Sequence, residues 1–358
     1  MILEVRKILE KPLSRKRIGF EEGLALISSK DLLTLGRAAE EFSRILHPEP
    51  YRTYAIDRNI NYTNICVARC RFCAFSRDLG EKEAYTISEE ELFQKIKETV
   101  EQGGTQILMQ GGLHPHLRLD FYEKLLRSVK KQFSIHIHSF SPPEIIHFSR
   151  LEGLPVGEII LRLRESGLDS IPGGGAEILV DRCRGEVSPK KCTAEEWLTV
   201  MREAHKLGMK TSATMMFGHI ETLEERVVHL DKIRTLQEET GGFTAFIPWP
   251  FQPRNTQLGH LSPVGGFEYL KTLAVSRLYL DNIPNIQSSW VTQGPKIGQL
   301  ALKFGANDMG STMIEENVVR ATGISFRMTR EEIVRLIEDF GYKARQRDFY
   351  YHLVNGRN

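Results

Sequence analysis

The feature that most constrains the fold is an alternation of short β-rich runs with helical stretches, which begins near residue 57. Eight strands, each followed by a helix, predict a parallel (β/α)8 TIM-type barrel of the α/β class, although an incomplete barrel of six strands stays open. The predicted strands are Asn59–Ile65, Thr105–Gln110, Phe133–Phe140, Leu168–Ile171, Lys210–Met216, Phe243–Pro248, Asn285–Trp290 and Ala306–Met309. The predicted helices are Ser88–Gln102, Asp120–Lys131, Val156–Ser166, Ala194–Leu207, Thr222–Thr240, Phe267–Asp281, Pro295–Phe304, Glu315–Arg320 and Thr329–Phe340.

The chain divides near residue 56. Residues 1–56 carry apolar side chains at helical spacing in GFEEGLALI and DLLTLGRAAEEFSRIL, with Asp31 in position to cap the second helix. We therefore expect a helical N-terminal extension, 1–56, followed by the barrel with a C-terminal extension, 57–358. Active sites of such barrels lie at the C-terminal ends of the strands.

Charge and hydropathy exclude several functional classes. A net charge of +2 gives no general attraction to nucleic acid or anionic membranes. The N-terminal segment is mixed in charge and lacks the apolar core of a secretory signal. We expect a cytoplasmic protein that binds neither nucleic acid nor membrane.

Three of the five cysteines lie within eight residues, in the loop that follows the first predicted strand. Cys66, Cys70 and Cys73 have the spacing C-x3-C-x2-C. A [4Fe–4S] cluster normally takes four thiolates. Three thiolates therefore leave one iron free to bind the amino and carboxylate groups of S-adenosylmethionine (SAM). This loop resembles that of the radical SAM superfamily, in which reductive cleavage of SAM yields a 5′-deoxyadenosyl radical.

Two other interpretations of the cysteines stay open. Zinc favours four ligands, and no second C-x2-C pair follows the triad. Cys183 or Cys192 would remove the SAM site if either were a fourth cluster ligand. Free cysteines are often small buried hydrophobic residues instead.

The resemblance to radical SAM enzymes implies a set of cofactor contacts. Gln110, Gly111 and Gly112 follow the second strand and resemble the glycine-rich segment that accepts hydrogen bonds from the SAM amino group. Glu177, after the fourth strand, is expected to bind the ribose hydroxyls. The other predicted cofactor contacts are Phe72, His138, Ser139 and Phe217, with Met216 beside the adenine.

A narrower resemblance appears in the C-terminal half. FIPWPFQPRNTQL, SSWVTQGPKIGQLALKFGANDMGSTMIEENVV and the earlier GGLHPHLRLDFY are similar to the cyclic dehypoxanthine futalosine synthase family of menaquinone biosynthesis. The resemblance implies hydrogen abstraction from ribose C4′ of dehypoxanthine futalosine and ring closure onto the benzoate. It also implies an external one-electron donor, such as flavodoxin or ferredoxin.

The expected substrate and proton-transfer groups lie in the loops at the strand ends. Trp249, Gln252, Asn255, Thr256, Ser289 and Trp290 are the predicted substrate contacts, with Phe251 and Thr292 beside them. Arg77, Arg164 and Arg254 are alternative partners of the benzoate. The predicted proton acceptors are His219, Glu221 and Asp308, with Glu315 as a further alternative.

Three other functions stay open at this stage. Aminofutalosine synthase and the subunits of the deazaflavin-forming synthase resemble this chain around the triad. A non-catalytic iron–sulfur or zinc scaffold is the alternative outside enzymes.

Overall fold

The computed structural model describes residues 2–354 and shows a ring of parallel strands surrounded by helices. The strands are β1 (Tyr51–Ala55), β2 (Asn59–Asn61), β3 (Gln106–Gln110), β4 (His136–Ser139), β5 (Ser170–Ile171), β6 (Lys210–Phe217), β7 (Phe243–Pro250), β8 (Asn285–Ile286), β9 (Asp308–Ser311) and β10 (Lys343–Gln346). The helices are α1 (Ile2–Leu13), α2 (Phe20–Ile27), α3 (Leu32–Leu46), α4 (Glu89–Glu101), α5 (Leu119–Gln132), α6 (Pro142–Glu152), α7 (Val156–Glu165), α8 (Asp181–Val187), α9 (Ala194–Lys206), α10 (Leu223–Thr240), α11 (Gly266–Tyr279), α12 (Trp290–Ala301) and α13 (Arg330–Glu338), with a 3₁₀ turn at Arg320–Thr322.

The strands close into a barrel. Strands β2 to β8 pair in sequence order and in parallel. On one side the N–H of Ser288 donates to the carbonyl of Asp308 (2.9 Å), which joins β9 to the end of β8. On the other side the N–H of Thr312 donates to the carbonyl of Ala55 (3.1 Å), which joins β9 to β1. Because β1 and β2 are consecutive parts of one strand, the ring contains eight parallel strands, and the predicted TIM-type barrel is confirmed.

The first barrel strand begins earlier than the sequence indicates. Tyr51–Ala55 was expected within the helical extension, but it forms β1, and four of its five residues are buried. The segment 315–320 was predicted to be a helix and is a loop instead. There the Glu316 carboxylate accepts the N–H groups of Val318 (3.0 Å) and Val319 (2.8 Å), so a tight turn replaces the helix. Helices α6 and α8 were not predicted.

The N-terminal helices pack along the side of the barrel. Helix α2 contacts α10 and α11, and α3 contacts α11. As predicted, Asp31 caps α3, since its carboxylate accepts the N–H of Thr34 (3.1 Å). These helices therefore cover the barrel wall and leave both of its ends free.

The C-terminal segment closes the N-terminal end of the barrel. Strand β10 pairs in parallel with β1, from Tyr51 opposite Lys343 to Tyr54 opposite Gln346. The chain then turns into the barrel, where Arg347 and Phe349 are buried. We call this end, where the strands begin, the floor, and the opposite end the rim. Residues 355–358 of the predicted C-terminal extension lie outside the described residues.

Within residues 2–354, no helix is long and apolar enough to span a membrane.

Candidate active site

The three clustered cysteines lie in a loop at the rim, directly after β2. The N–H of Val67 donates to the carbonyl of Leu113 (3.0 Å), and the N–H of Arg71 donates to that of Val187 (2.8 Å). Within the loop the N–H of Cys73 donates to the carbonyl of Cys70 (3.0 Å). These bonds attach the loop to two neighbouring segments of the rim, so its shape is set by the barrel.

The thiols share one small apolar cluster. Cys70 is buried with Ala68 and Leu113, and the half-buried Cys66 and Cys73 pack against them. Burial raises the pKa of the Cys70 thiol to about 12, which the nearby Lys191 ammonium opposes. A metal cluster would replace the proton on this thiol, because thiolates are the ligands of iron–sulfur clusters.

A glycine pair lies directly against the cysteine loop. A Cβ atom on Gly112 would collide with the carbonyl of Ile65 and lie 2.9 Å from the Cβ of Cys66. A Cβ on Gly111 would collide with the ring of Tyr62. Only glycine therefore lets this strand end approach the loop so closely, as expected for a segment that presents its backbone to a ligand.

The glycine segment is held by a carboxylate that was not among the predicted site residues. Glu144 is buried and accepts the N–H of Gly111 (3.0 Å) and the hydroxyl of Tyr62 (2.6 Å). Its other oxygen accepts the N–H of Ser141 (2.8 Å), which makes a capping box at the start of α6. Burial raises the pKa of Glu144, although its hydrogen bonds oppose the shift. The sequence Ser-Pro-Pro-Glu carries the capping-box spacing that would have revealed this residue.

A buried ionic group lies beside the cysteines. Glu177 bonds the ammonium of Lys191 (3.0 Å) and the guanidinium of Arg184 (3.4 Å). The ammonium of Lys191 also lies 5.1 Å from the ring centroid of Phe72. Burial would lower the pKa of Lys191, but the Cys70 thiolate and the Glu177 carboxylate raise it above its usual value. The rim therefore keeps a fixed positive charge where an anionic thiolate cluster would bind.

A cavity of about 300 Å³ runs from this rim to the floor inside the barrel. Of the predicted substrate and cofactor contacts, the residues that line it are Gln110, His138, Trp249, Ser289 and Trp290, together with Thr292. The wall is mainly apolar, and its polar groups include Asp57, Gln106 and Arg347 near the floor. An apolar pocket with a few convergent polar groups is typical of a small-molecule site.

Several predicted substrate contacts turn away from the cavity. The amide of Asn255 donates to the carbonyl of Ala321 (3.0 Å), and the hydroxyl of Thr256 donates to the carbonyl of Pro253 (2.6 Å). Gln252 is buried and bonds backbone carbonyls. These three side chains stabilise the loop after β7 and do not line the cavity.

Two predicted cofactor contacts also point away from the interior. Alternation along β6 places Met216 in an apolar cluster with Phe251, Phe72 and Trp249, while Phe217 faces the outer helices. The guanidinium of Arg226 lies 4.8 Å from the Phe217 ring. The hydroxyl of Ser139 bonds the carbonyl of Met109 in β3. Of Met216 and Phe217, Met216 is therefore the residue that faces the cysteine loop.

Two of the predicted proton acceptors, His219 and Glu221, lie in the loop after β6. Glu221 accepts the N–H groups of Gly218 and His219 within the loop after β6, and it bonds the guanidinium of Arg226 on α10. Burial lowers the pKa of His219, although Glu221 opposes the shift. Neither residue lines the cavity.

The third predicted acceptor, Asp308, is surrounded by donors. Its carboxylate bonds the guanidinium of Arg347 (2.6 and 3.0 Å), the hydroxyl of Thr53 (2.6 Å) and the N–H of Gly310 (2.8 Å). The alternative acceptor Glu315 is paired with Lys95 (2.7 Å). Each carboxylate is thus already neutralised within the protein.

The arginines proposed for the benzoate do not line the cavity. Arg77 bonds Glu83 and three backbone carbonyls, and Arg164 bonds the carbonyl of Leu207 at the outer end of α7. Arg254 lies near Gly323 in the outer loops. Among the described lining residues, Arg347 is the only lysine or arginine, and no local pattern of residues indicates its position.

Two cysteines outside the triad belong to the protein core. The thiol of Cys183 bonds Glu225 (3.3 Å), and that of Cys192 accepts from Arg184 (3.4 Å). Both lie in the main hydrophobic core, apart from the small cluster that contains the triad.

A closed parallel barrel with a three-thiol rim loop defines the radical SAM class of enzymes, and two family models agree. The Radical SAM superfamily matches residues 60–233, and the CofH/MqnC C-terminal region matches residues 240–357. Members of the superfamily use a [4Fe–4S] cluster and SAM.

Relatives place the chain more narrowly. It is 46% identical over 353 residues to the cyclic dehypoxanthine futalosine synthase of Halalkalibacterium halodurans, covering 98% of this chain and 95% of that one. It is 41% identical to the aminodeoxyfutalosine synthase of Thermus thermophilus, covering 97% and 95%. The crystal structure of HydG, a maturase of the [FeFe]-hydrogenase, superposes with a TM-score of 0.77 at 18% identity, covering 96% and 76%, and supports the fold alone. The chain belongs to the radical SAM superfamily and, within it, to the family of these futalosine-pathway synthases.

Proposed function

We propose that this protein is a radical SAM cyclase that converts dehypoxanthine futalosine to cyclic dehypoxanthine futalosine in menaquinone biosynthesis. The observation that carries the proposal is the 46% identity to a synthase of that name over nearly the full length of both chains. The identity to the aminodeoxyfutalosine synthase is lower, at 41% over a similar length.

The residues of the rim fit the cofactors. We propose that Cys66, Cys70 and Cys73 hold three irons of the cluster, and that Lys191 balances the charge of the thiolates. The backbone of Gly111 and Gly112 can then face the SAM amino group. When bound together, the cluster and SAM supply the 5′-deoxyadenosyl radical that removes hydrogen from ribose C4′.

The cavity fits the substrate step. Trp249 and Trp290 form walls that exclude water from a carbon radical, and the indole N–H of Trp290 is fixed on the carbonyl of Ser311 (3.0 Å). We propose that the hydroxyls of Ser289 and Thr292 bind ribose hydroxyls at the rim. A dry pocket that fixes the target atom favours ring closure over escape of the radical.

Two further proposals concern the electron donor and the cellular compartment. The reaction requires an external one-electron donor, for which flavodoxin or ferredoxin is suitable. The free thiols of the triad suit the reducing conditions of the cytoplasm.

Anaerobic reconstitution tests the function. The holoenzyme is incubated with SAM, a reductant and one substrate at a time: dehypoxanthine futalosine, the enol-ether substrate of aminofutalosine synthase, or tyrosine with 5-amino-6-(D-ribitylamino)uracil. We expect 5′-deoxyadenosine and a cyclised product, measured by mass spectrometry, with the first substrate only. Turnover with another substrate and none with dehypoxanthine futalosine would contradict the proposal.

A further inference from the structure

The cavity contains three polar atoms that have no hydrogen-bond partner among residues 2–354. They are the amide oxygens of Asn59 and Gln106 and the hydroxyl of Tyr351, all buried and all on residues that line the cavity. Buried polar atoms are almost always hydrogen-bonded in folded proteins. Their presence indicates that the polar part of the cavity receives polar groups of a ligand.

Asp57 lies among these groups. One carboxyl oxygen accepts the amide N–H of Gln106 (2.9 Å), and the other accepts the hydroxyl of Ser311. Asp57 lines the cavity on the same face of the first barrel strand as Asn59. Because each carboxylate oxygen can accept two hydrogen bonds, each keeps a free acceptor position.

The other titratable groups of the cavity are committed. Both ring nitrogens of His138 bond hydroxyls, those of Ser170 (2.7 Å) and Ser212 (3.3 Å). Glu316 accepts the N–H groups of Val318, Val319 and Arg320.

Two charged or phenolic groups of the floor are also unsuited to accept a proton. Arg347 is paired with Asp308, and its guanidinium lies 4.0 Å from the ring centroid of Tyr351. A guanidinium is always protonated, and burial raises the pKa of the Tyr351 phenol. Of the two cavity carboxylates, Asp57 keeps more free acceptor positions, because it accepts two hydrogen bonds whereas Glu316 accepts three.

We propose that Asp57 accepts the proton that the substrate ring loses after ring closure. This inference rests on the cyclase function proposed above. The C4′ radical adds to a ring carbon, so that a C–C bond forms and that carbon becomes tetrahedral. Asp57 then takes the proton from this carbon, and the C–H electron pair enters the ring.

The electron balance requires a one-electron acceptor. Loss of the proton leaves a ring radical anion, and removal of one electron from it restores a neutral aromatic ring. The acceptor is an electron carrier of the iron–sulfur or flavin class. Its oxidised form, which the reducing system contains, takes the electron. Burial raises the pKa of Asp57, which makes its carboxylate a stronger base than an exposed aspartate.

The variant Asp57→Asn tests the proposal, because asparagine keeps the size, its amide oxygen can still accept from Gln106, and its amide N–H can donate to the hydroxyl oxygen of Ser311. The holoenzyme is supplied with SAM, reductant and dehypoxanthine futalosine deuterated at C4′. We expect deuterium to enter 5′-deoxyadenosine as in the unchanged protein, while cyclised product per 5′-deoxyadenosine falls at least about tenfold. The matched control is Glu123→Gln, a buried carboxylate on α5 that is paired with Arg162 and does not line the cavity, and we expect it to leave this ratio unchanged.

Other outcomes overturn the proposal in distinguishable ways. An unchanged ratio in Asp57→Asn shows that Asp57 is not the acceptor. Loss of 5′-deoxyadenosine with an intact cluster spectrum shows a positioning role instead. If the unchanged protein itself makes no 5′-deoxyadenosine with this substrate, the cyclase function fails, and with it the ring step.

A measurement on the unchanged protein covers the case in which the variant does not fold. The ratio of product to 5′-deoxyadenosine should decrease as the pH falls through the raised pKa of Asp57, because a protonated carboxyl cannot accept a proton. The charged groups that act on it are Arg347 from the C-terminal segment and Asp308 from β9. The other ionisable residues that line the cavity are His138, Glu316 and Tyr351. A ratio that does not change with pH would contradict the proposal.

Discussion

The rim and the floor of the barrel are built in different ways. At the rim, Cys66, Cys70 and Cys73 come from one loop of eight residues. At the floor, Asp308 bonds Thr53, 255 positions away along the chain, and Arg347, 39 positions away. The rim chemistry is therefore encoded locally, whereas the floor exists only after the barrel has closed.

This difference separates activity from stability. The rim thiols belong to a small cluster of their own, apart from the main hydrophobic core, so we expect their replacement to leave that core intact. The floor ion pair between Arg347 and Asp308 is almost fully buried, with 5% and 0% of the side chains exposed. A buried charge that loses its partner is strongly destabilising. Variants at the rim should therefore lose activity and keep their stability, whereas variants at the floor should lose stability.

The largest effect is expected at the rim, from Cys70→Ser. Loss of one of three thiolates should abolish cluster binding, so that 5′-deoxyadenosine formation falls below detection. The thermal unfolding midpoint of the cluster-free protein should change little. Iron content, absorbance and product analysis measure the first effect, and calorimetry the second.

The control for that variant is Cys183→Ser, which changes a buried thiol outside the triad. We expect it to retain iron and activity. Loss of the cluster in Cys183→Ser would instead make Cys183 a fourth ligand and break the proposed assignment of the rim.

The second effect is expected at the floor, from Arg347→Met. It leaves Asp308 as a buried, unpaired carboxylate and should lower the free energy of unfolding by about 3–5 kcal/mol. Denaturant titration of the cluster-free protein measures this change. The control is Arg335→Met, which removes an exposed pair with Asp339 on α13 and should leave the unfolding midpoint nearly unchanged. Equal effects of the two variants would show that the floor pair has no special role.

The same contrast explains what the sequence predicted. Eight parallel strands, the cap at Asp31 and the position of the cysteine loop follow from local patterns of hydrophobicity and spacing. Strand β1 was missed because it lies beside helices in sequence, and its pairing with β9 and β10 is long-range. Pairing between distant segments leaves no periodic signal in a single sequence.

The predictions for the candidate site show the same contrast between local patterns and long-range pairing. Gly112 was found because a glycine pair at a strand end has local meaning. Arg347 and Phe349 were missed because the direction of the C-terminal segment depends on its pairing with β1. Asn255 and Thr256 were predicted to bind substrate because they are polar loop residues, but polar loop residues often stabilise the loop itself.

The third effect is a pH dependence of the free energy of unfolding, which arises from two histidines near the floor. Burial lowers the pKa of His136 to about 4, and it holds that of His138 well below the usual value. Both are neutral in the folded protein, whereas the unfolded chain binds protons below about pH 6.5. The unfolded state then binds more protons, so stability falls as the pH decreases from about 6.5 to about 4. Each histidine contributes a slope of about 1.4 kcal/mol per pH unit.

The variant His136→Gln isolates one of these contributions. Its unfolding free energy, measured by denaturant titration at several pH values, should depend less on pH by the equivalent of one proton. His352→Gln, which changes a histidine side chain that is 77% exposed, should keep the slope of the unchanged protein. Equal slopes for all three proteins would contradict the assignment.

The smallest effect tests whether the floor shapes the cavity as well as stabilising the fold. The Phe349 ring stacks on His136 at 4.6 Å between centroids and 17° between planes, and it lies 4.6 Å from the ring of His138. Phe349→Leu removes this stacking and should lower the free energy of unfolding by about 1 kcal/mol. Because Phe349 lines the cavity, the KM for substrate should also rise.

The matched control is Phe93→Leu, whose ring packs edge-on against Phe133 at 5.7 Å on the outer helices. It should lose similar stability with an unchanged KM, whereas a KM change in both variants, or in neither, would mean that the C-terminal segment only supports the barrel.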